Sequence, residues 1–158
     1  MNIFILDKDP KLSAQYHCDK HVVKMILETA QLLCGAHWSV NKEAPYKLSH
    51  RNHPCSIWVR ECIENYIWLC DLGMELSKEY TYRYGKTHKS QQIIEWCITN
   101  IPNLRENGDI TSFALAMPDE YKVSCPVESY RNYYRGAKTS FANWKNRDVP
   151  QWFNINLN

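Results

Sequence analysis

The sequence predicts an all-α protein. It reads as a compact single domain over residues 1–158, a bundle of about four helices with long loops and a short N-terminal arm. Three observations carry that expectation. Apolar residues recur at helical spacing over long stretches, most clearly Trp58, Cys62, Tyr66, Leu69, Gly73, Leu76 and Tyr80. Strand-type alternation is scarce, and the chain holds only 5 Gly, few for a turn-rich β fold. At 158 residues with a 44% hydrophobic fraction, the chain can bury one real core.

Taken in order, Ile3 to Leu6 form an apolar run followed by charged Asp7–Asp9, which suits a short arm packed on the body. Pro10 is tolerated in a first helical turn, and the first helix is expected to run from there to Gly35, a natural C-terminal stop. Residues 36–54, with Asn41, Pro45, Asn52 and Pro54, read as a long loop. A second, longest helix is expected from Pro54 to Gly85, with Gly73 inside it marking a close helix crossing or a tolerated weak point. A third helix follows from about Ser90, with Thr87 as a candidate cap and Pro102 as its stop. Residues 103–125 are irregular. Pro126 opens a short fourth helix, Val127 to about Arg135, with Gly136 behind it. A last helical turn is expected within 138–146, and an extended tail with Trp152 and Phe153 tucked against the body. No repeat, linker or low-complexity segment is visible.

A net charge of +2 permits a nucleic-acid partner without arguing for one. The 7 Cys are odd in number and form no CxxC pair, so free thiols in a reducing, intracellular setting are expected. No apolar run approaches the ~20 residues of a membrane span, and the N-terminal run is too short for a signal peptide. A monomer with no membrane partner is expected.

The informative stretch is Tyr16 to Cys34. Wound as one helix at ~100° per residue, it places Tyr16, Val23, Ile26, Leu27, Ala30, Leu33 and Cys34 on an apolar side. His17, His21, Lys24, Glu28 and Gln31 form a polar stripe opposite. Such a stripe suits acid–base chemistry, a metal, or only a solvated face. For a metal, His17 and His21 stand at i, i+4, with His50 and His53 able to complete a site. The HExxH glutamate is missing, however, and Lys20 and Lys24 flank the pair. Glu28, among Leu27, Ala30 and Leu32, is the carboxylate best placed for partial burial and hence for proton transfer.

The second informative stretch is residues 129–147. Arg131, Arg135, Lys138, Lys145 and Arg147 alternate there with Tyr130, Tyr133, Tyr134, Phe141 and Trp144, and no carboxylate interrupts them. Cations grip phosphates and aromatic faces stack on bases. The DNA-binding residues expected from this segment are Arg131, Tyr133, Tyr134, Arg135, Lys138 and Lys145. The similar run TYRYGKTHK (81–89) sits where a helix C-terminus favours cations in any case, so a solvated helix end is the expectation there.

On these residues the chain resembles the phage pyrimidine-dimer DNA glycosylases, small all-helical repair enzymes. That family carries Asp-x-His on an early helix and a Glu seven residues after the His. Asp19-Lys20-His21 and Glu28 match this pattern. Near the family's C-terminus stands an aromatic–basic segment similar to WYKYYG, matched here by Tyr130-Arg131-Asn132-Tyr133-Tyr134-Arg135-Gly136 with one extra residue. The resemblance implies a glycosylase with attached abasic-site lyase activity on double-stranded DNA carrying a damaged or modified pyrimidine, using no metal or cofactor. It implies that the N-terminal amine attacks the sugar C1′, that a Schiff base forms, that Glu28 supports the imine with His21 assisting, and that β-elimination breaks the strand. The sequence departs from the family at its start. The family has a small residue after Met removal, whereas Asn2 stands here, a residue that normally leaves Met1 in place. The nucleophile is therefore open among Met1, Asn2, Lys24 and Lys20. Two other functions stay in view: a metal-dependent hydrolase built on His17 and His21, and a non-enzymatic nucleic-acid-binding protein.

Overall fold

A computed structural model describes residues 1–154. They are all-helical, with no strand among the described residues. The helices are α1 (Pro10–Tyr16), α2 (Asp19–Ser39), α3 (Pro54–Glu61), α4 (Ile63–Tyr84), α5 (Gln91–Thr99) and α6 (Pro126–Ala137), with 3₁₀ turns at Asp119–Tyr121 and Gln151–Phe153. The count exceeds four because two of the expected helices are each broken once.

The first break falls at His17–Cys18, where both residues are extended. Neither is a helix breaker. The freed backbone groups find distant partners: Asp19 N–H donates to Asn143 O at 2.7 Å, Cys18 N–H to the Tyr134 hydroxyl at 3.3 Å, and the Arg83 guanidinium to His17 O and Gln15 O at 2.8 and 3.0 Å. The second break falls at Cys62. Asn65 repairs it, donating to Trp58 O at 2.8 Å, while the Ile63 N–H donates to Arg105 O at 2.9 Å. A buried helix end without such partners would cost about 1–3 kcal/mol per orphaned group.

Other ends follow local rules. Asp9 and His53 cap α1 and α3 through side-chain acceptors, each ahead of a Pro at the first helical position. Gly85 ends α4 at φ 70°, in the left-handed region that favours glycine. Three expected boundaries differ. α2 runs through Gly35 to Ser39. α5 is preceded by Ser90 in the cap position, not Thr87. α6 continues through Gly136, where a Cβ would stand 2.2 Å from the Tyr121 ring, so this glycine serves a close approach rather than a stop. Residues 138–146 form turns and no helix. In the tail, Trp152 is buried within a 3₁₀ turn, while residues 155–158 lie outside the described residues.

α2 and α4 make the central pair, with α1 on α4, α3 and α5 against both, and the arm Ile3–Leu6 wholly buried beside them. Gly73 sits at this crossing, its position 2.9 Å from Thr29 Cγ2 and 3.0 Å from Ile94 Cδ1 once a Cβ is added. Six of the seven cysteines are buried, as small hydrophobes are. No helix among the described residues is long and apolar enough to cross a membrane.

The expected faces of α2 hold in part: Ile26, Ala30, Leu33 and Cys34 are buried as expected. Val23 and Leu27 are exposed, whereas His21 and Glu28 are buried and His17 is fully so. The arm, α3 and α6 cover the side expected to be wet. Within the stripe His17, His21 and Glu28 form a buried polar seam, while Lys24 is exposed and Gln31 half-buried, and burial of such groups demands partners.

Candidate active site

At one end of the seam stands Glu28, 8% exposed. Its Oε1 lies 3.2 Å from the Met1 ammonium and accepts the Asn2 N–H at 3.0 Å. The arm delivers both nitrogens, because Ile3–Leu6 are buried and Leu6 N–H is tied to Ser13 Oγ at 3.1 Å. Asn2 is tied down further: its Nδ2 donates to Ala116 O at 2.9 Å. An amine and a carboxylate are thus held together in a half-dry setting, where charge interactions are stronger than in water.

One helical turn or two away, the His21 ring stacks on Phe4 with centroids 4.3 Å apart, and its Nδ1 meets the Tyr134 hydroxyl at 2.5 Å. Burial, reinforced by His17 and by the ammonium groups of Lys138, Lys24 and Lys20, pushes the His21 pKa down to about 3. The ring is neutral at cellular pH and serves as a hydrogen-bonding group rather than a cation. His17 is also neutral. Burial lowers its pKa to about 4, against the opposing effect of its 2.6 Å bond to Ser13 O.

These depressed values make acid instability an expected property. Below pH ~6.5 the unfolded chain protonates both imidazoles while the fold does not, so stability is complete above that pH and is lost as pH falls towards about 4 and about 3. Between pH 6.5 and 5 the loss amounts to roughly 2 kcal/mol per histidine. Thermal melts across this interval check it; a flat melting temperature would refute it.

The break before α2 separates the histidines of the metal reading. His17 and His21 no longer share a helix, His53 spends its acceptor on the α3 cap, and His50 is exposed. Among the described residues, no three His, Cys, Asp or Glu side chains converge as a metal site.

The 129–147 segment does meet the seam, through Tyr134 and Phe141 against His21 and Cys18. Within it, roles divide. Tyr134 is fully buried and cannot stack on a base. Arg131 donates to Leu6 O at 2.9 Å and pairs with Asp7 at 3.3 Å. Arg135 pairs with Glu128 at 2.6 Å and donates to Trp152 O at 2.9 Å. Both arginines bind the arm and the tail to α6, which leaves them little capacity for phosphate. Lys138 lies over Tyr133 at 4.4 Å, Lys20 over Phe141 at 4.7 Å and Lys145 over Tyr84 at 5.3 Å. Among the described residues none of these three is in an ion pair, and Lys20 and Lys145 are exposed. Lys138 and Lys20, with Phe141, make a cation–aromatic rim beside His21. Lys24 borders a groove of about 780 Å³ with Leu27, Gln31, Leu48 and His88. A larger cleft of about 1000 Å³ is lined by Tyr16, Arg131, Arg147 and Trp152. It includes neither the amine nor Glu28, so size does not mark the chemistry here.

Asp19, part of the motif shared with the glycosylases, pairs with Arg83 at 3.0 Å. Phe4 has no candidate role in the sequence reading, and Arg83, expected among the solvated cations of 81–89, is instead buried. Phe4 carried no signal beyond its apolarity. Arg83 carried one, an acidic Glu79 at i−4 on the same helix face.

A family model described as pyrimidine dimer DNA glycosylase matches residues 1–92, more than half of the chain. The chain belongs to this family. The matched region contains the arm, α1 to α4, the amine, His21 and Glu28. α6 lies beyond it, so its part in the site rests on geometry. No curated protein and no solved structure gives a significant match. As a member of a pyrimidine dimer DNA glycosylase family, the chain is assigned to DNA repair, with damaged DNA as the substrate class.

Proposed function

We propose that this glycosylase couples base removal to strand cleavage through its N-terminal amine. The observation that carries the reading is the 3.2 Å approach of the Met1 amine to Glu28. The neutral amine attacks C1′ of the damaged pyrimidine nucleotide. The C1′–N bond breaks and its electron pair leaves with the base. The amine proton passes to Glu28 and on to O4′ as the C1′–O4′ bond breaks, which opens the sugar ring and leaves an iminium that the regenerated carboxylate stabilises. Loss of a C2′ proton then expels the 3′ phosphate, and water releases the protein. His21, neutral and held by Tyr134 and Phe4, offers hydrogen bonds to the sugar or leaving base without adding charge. Lys20, Lys138 and Lys145, with Tyr133 and Phe141, supply the grip on double-stranded DNA. Every step uses the chain's own groups.

Should Met1 be removed, the Asn2 nitrogen, already 3.0 Å from the same oxygen, would take its place. Among the described residues no carboxylate pairs with Lys20 or Lys24, which favours the terminus over either lysine. The test is borohydride reduction during reaction with ultraviolet-damaged or abasic duplex DNA. A covalent protein–DNA adduct is expected, located by mass spectrometry on the first residue present. An adduct on Lys20 or Lys24 would keep the reaction class and displace the amine, and no adduct on DNA that the protein binds would end the lyase reading.

A further inference from the structure

The amine can serve as proposed only if the N-terminus is held still. A free terminus is ordinarily among the most mobile parts of a chain, and a nucleophile displaced by 1 Å can lose ~10²-fold in rate. Here the restraint is visible. The Asn2 carboxamide reaches three partners outside the arm: its Nδ2 donates to Ala116 O at 2.9 Å, its Oδ1 lies 3.2 Å from the Tyr130 hydroxyl, and the Cys55 thiol points at that same oxygen from 3.7 Å. The Tyr130 hydroxyl is also 2.6 Å from Ala114 O, so its single proton is shared between two acceptors, and its oxygen accepts the Ala116 N–H at 3.2 Å. Tyr130 thus holds Asn2 in two ways, directly and through the loop that carries Ala116. Tyr130 and Cys55 are fully buried, which makes these bonds stronger and dearer to lose than surface ones.

We propose that Asn2 and Tyr130 are positioning residues that clamp the N-terminal amine onto Glu28, with residues 114–116 as the third side of the clamp. This deepens the amine reading and rests on it. It explains why Asn stands where the family has a small residue. A small side chain would not span from the arm to Ala116 and Tyr130, whereas a carboxamide offers both an N–H donor group and an acceptor oxygen and uses each. It also gives α6, the helix outside the family match, a part in the reaction other than DNA contact.

The experiment uses Tyr130→Phe, which keeps the buried ring and removes only the hydroxyl, and Asn2→Leu, which keeps bulk at position 2 so that Met1 stays. Intact mass checks Met1 in each protein. The readout is borohydride trapping on duplex DNA with a preformed abasic site, under single turnover. The expected result is a trapping rate at saturating DNA lowered by about 10-fold or more, with the amplitude and the half-saturating DNA concentration within about twofold of wild type. The double variant should be no slower than the slower single one, because Tyr130 acts through Asn2. A merely structural role would lower the trapped amplitude, through misfolded protein, and leave the rate of the remainder intact; that outcome overturns the clamp. So do unchanged rates in both single variants, or losses that multiply in the double. If wild type itself never traps, the amine reading fails and takes the clamp with it, whereas wild-type trapping with unaffected variants removes the clamp alone.

Discussion

Glu28→Gln should lower the single-turnover rate by about 10²–10⁴-fold, the usual cost of losing a positioned acid–base group, while the protein stays folded. The swap is conservative in shape. The Gln side-chain oxygen can still accept the Asn2 N–H that Glu28 accepts at 3.0 Å. What disappears is the negative charge beside the Met1 ammonium and the ability to take its proton. Were Glu28 only the partner in an ion pair, the effect would fall on stability. It would approach the cost of breaking a buried pair from one side, about 3–5 kcal/mol, since Glu28 is only 8% exposed, and the rate of the folded protein would barely move. The two roles are therefore separated by measuring cleavage and melting on the same preparation. A rate within about tenfold of wild type would remove Glu28 from the chemistry, whatever its effect on the melt.

The largest effect on stability is expected at Arg83. Its side chain is wholly buried and its guanidinium donates to Glu79 at 2.7 Å, to His17 O at 2.8 Å, and to Asp19 and Gln15 O at 3.0 Å each. Arg83→Ala leaves two helix-end carbonyls and the Asp19 carboxylate without this donor. Glu79 keeps Arg147 at 2.6 Å, so its own charge stays paired. Breaking a buried ion pair from one side costs about 3–5 kcal/mol, which for a domain of this size corresponds to roughly 10 °C in melting temperature. Arg83→Lys should recover little, because a point ammonium cannot fork across acceptors on α1, α2 and α4 at once. A drop of less than about 3 °C, or full recovery by Lys, would show that the break between α1 and α2 holds without this hub. Activity should fall along with stability, since the break sets where α2 begins and hence where His21 meets Phe4 and Tyr134.

Boundaries whose causes are local were legible. Pro10, Pro54 and Pro126 each open a helix, and Gly85 closes one at φ 70°. The all-α class was equally plain, because long runs at helical spacing leave no room for strands. Glu28 and His21 were singled out as a carboxylate and an imidazole on one helix, and the shared motif with the glycosylases pointed at the same two. The arm was read as packed on the body, and it is. The roles of Arg131, Tyr134 and Arg135 were not legible, because an aromatic–basic run has the same composition whether its cations face phosphate or face Asp7 and Glu128.

By itself, then, the sequence determined the helical class, the helix starts at Pro10, Pro54 and Pro126 and the stop at Gly85, and it singled out candidate residues for the chemistry. These are set by backbone preferences and side-chain types within a few residues of each position. Only the tertiary structure decided that the first and second expected helices break at His17–Cys18 and at Cys62. Each break frees backbone groups whose replacement partners, Arg83, Tyr134 and Asn143 for one and Arg105 for the other, are remote in the chain. Only it decided that His17, His21 and Glu28 of the polar stripe form a buried seam, and that an arm folded back over α2 sets an amine against Glu28. An interaction across 26 residues leaves no periodic trace in the sequence, because neither partner constrains its own neighbours.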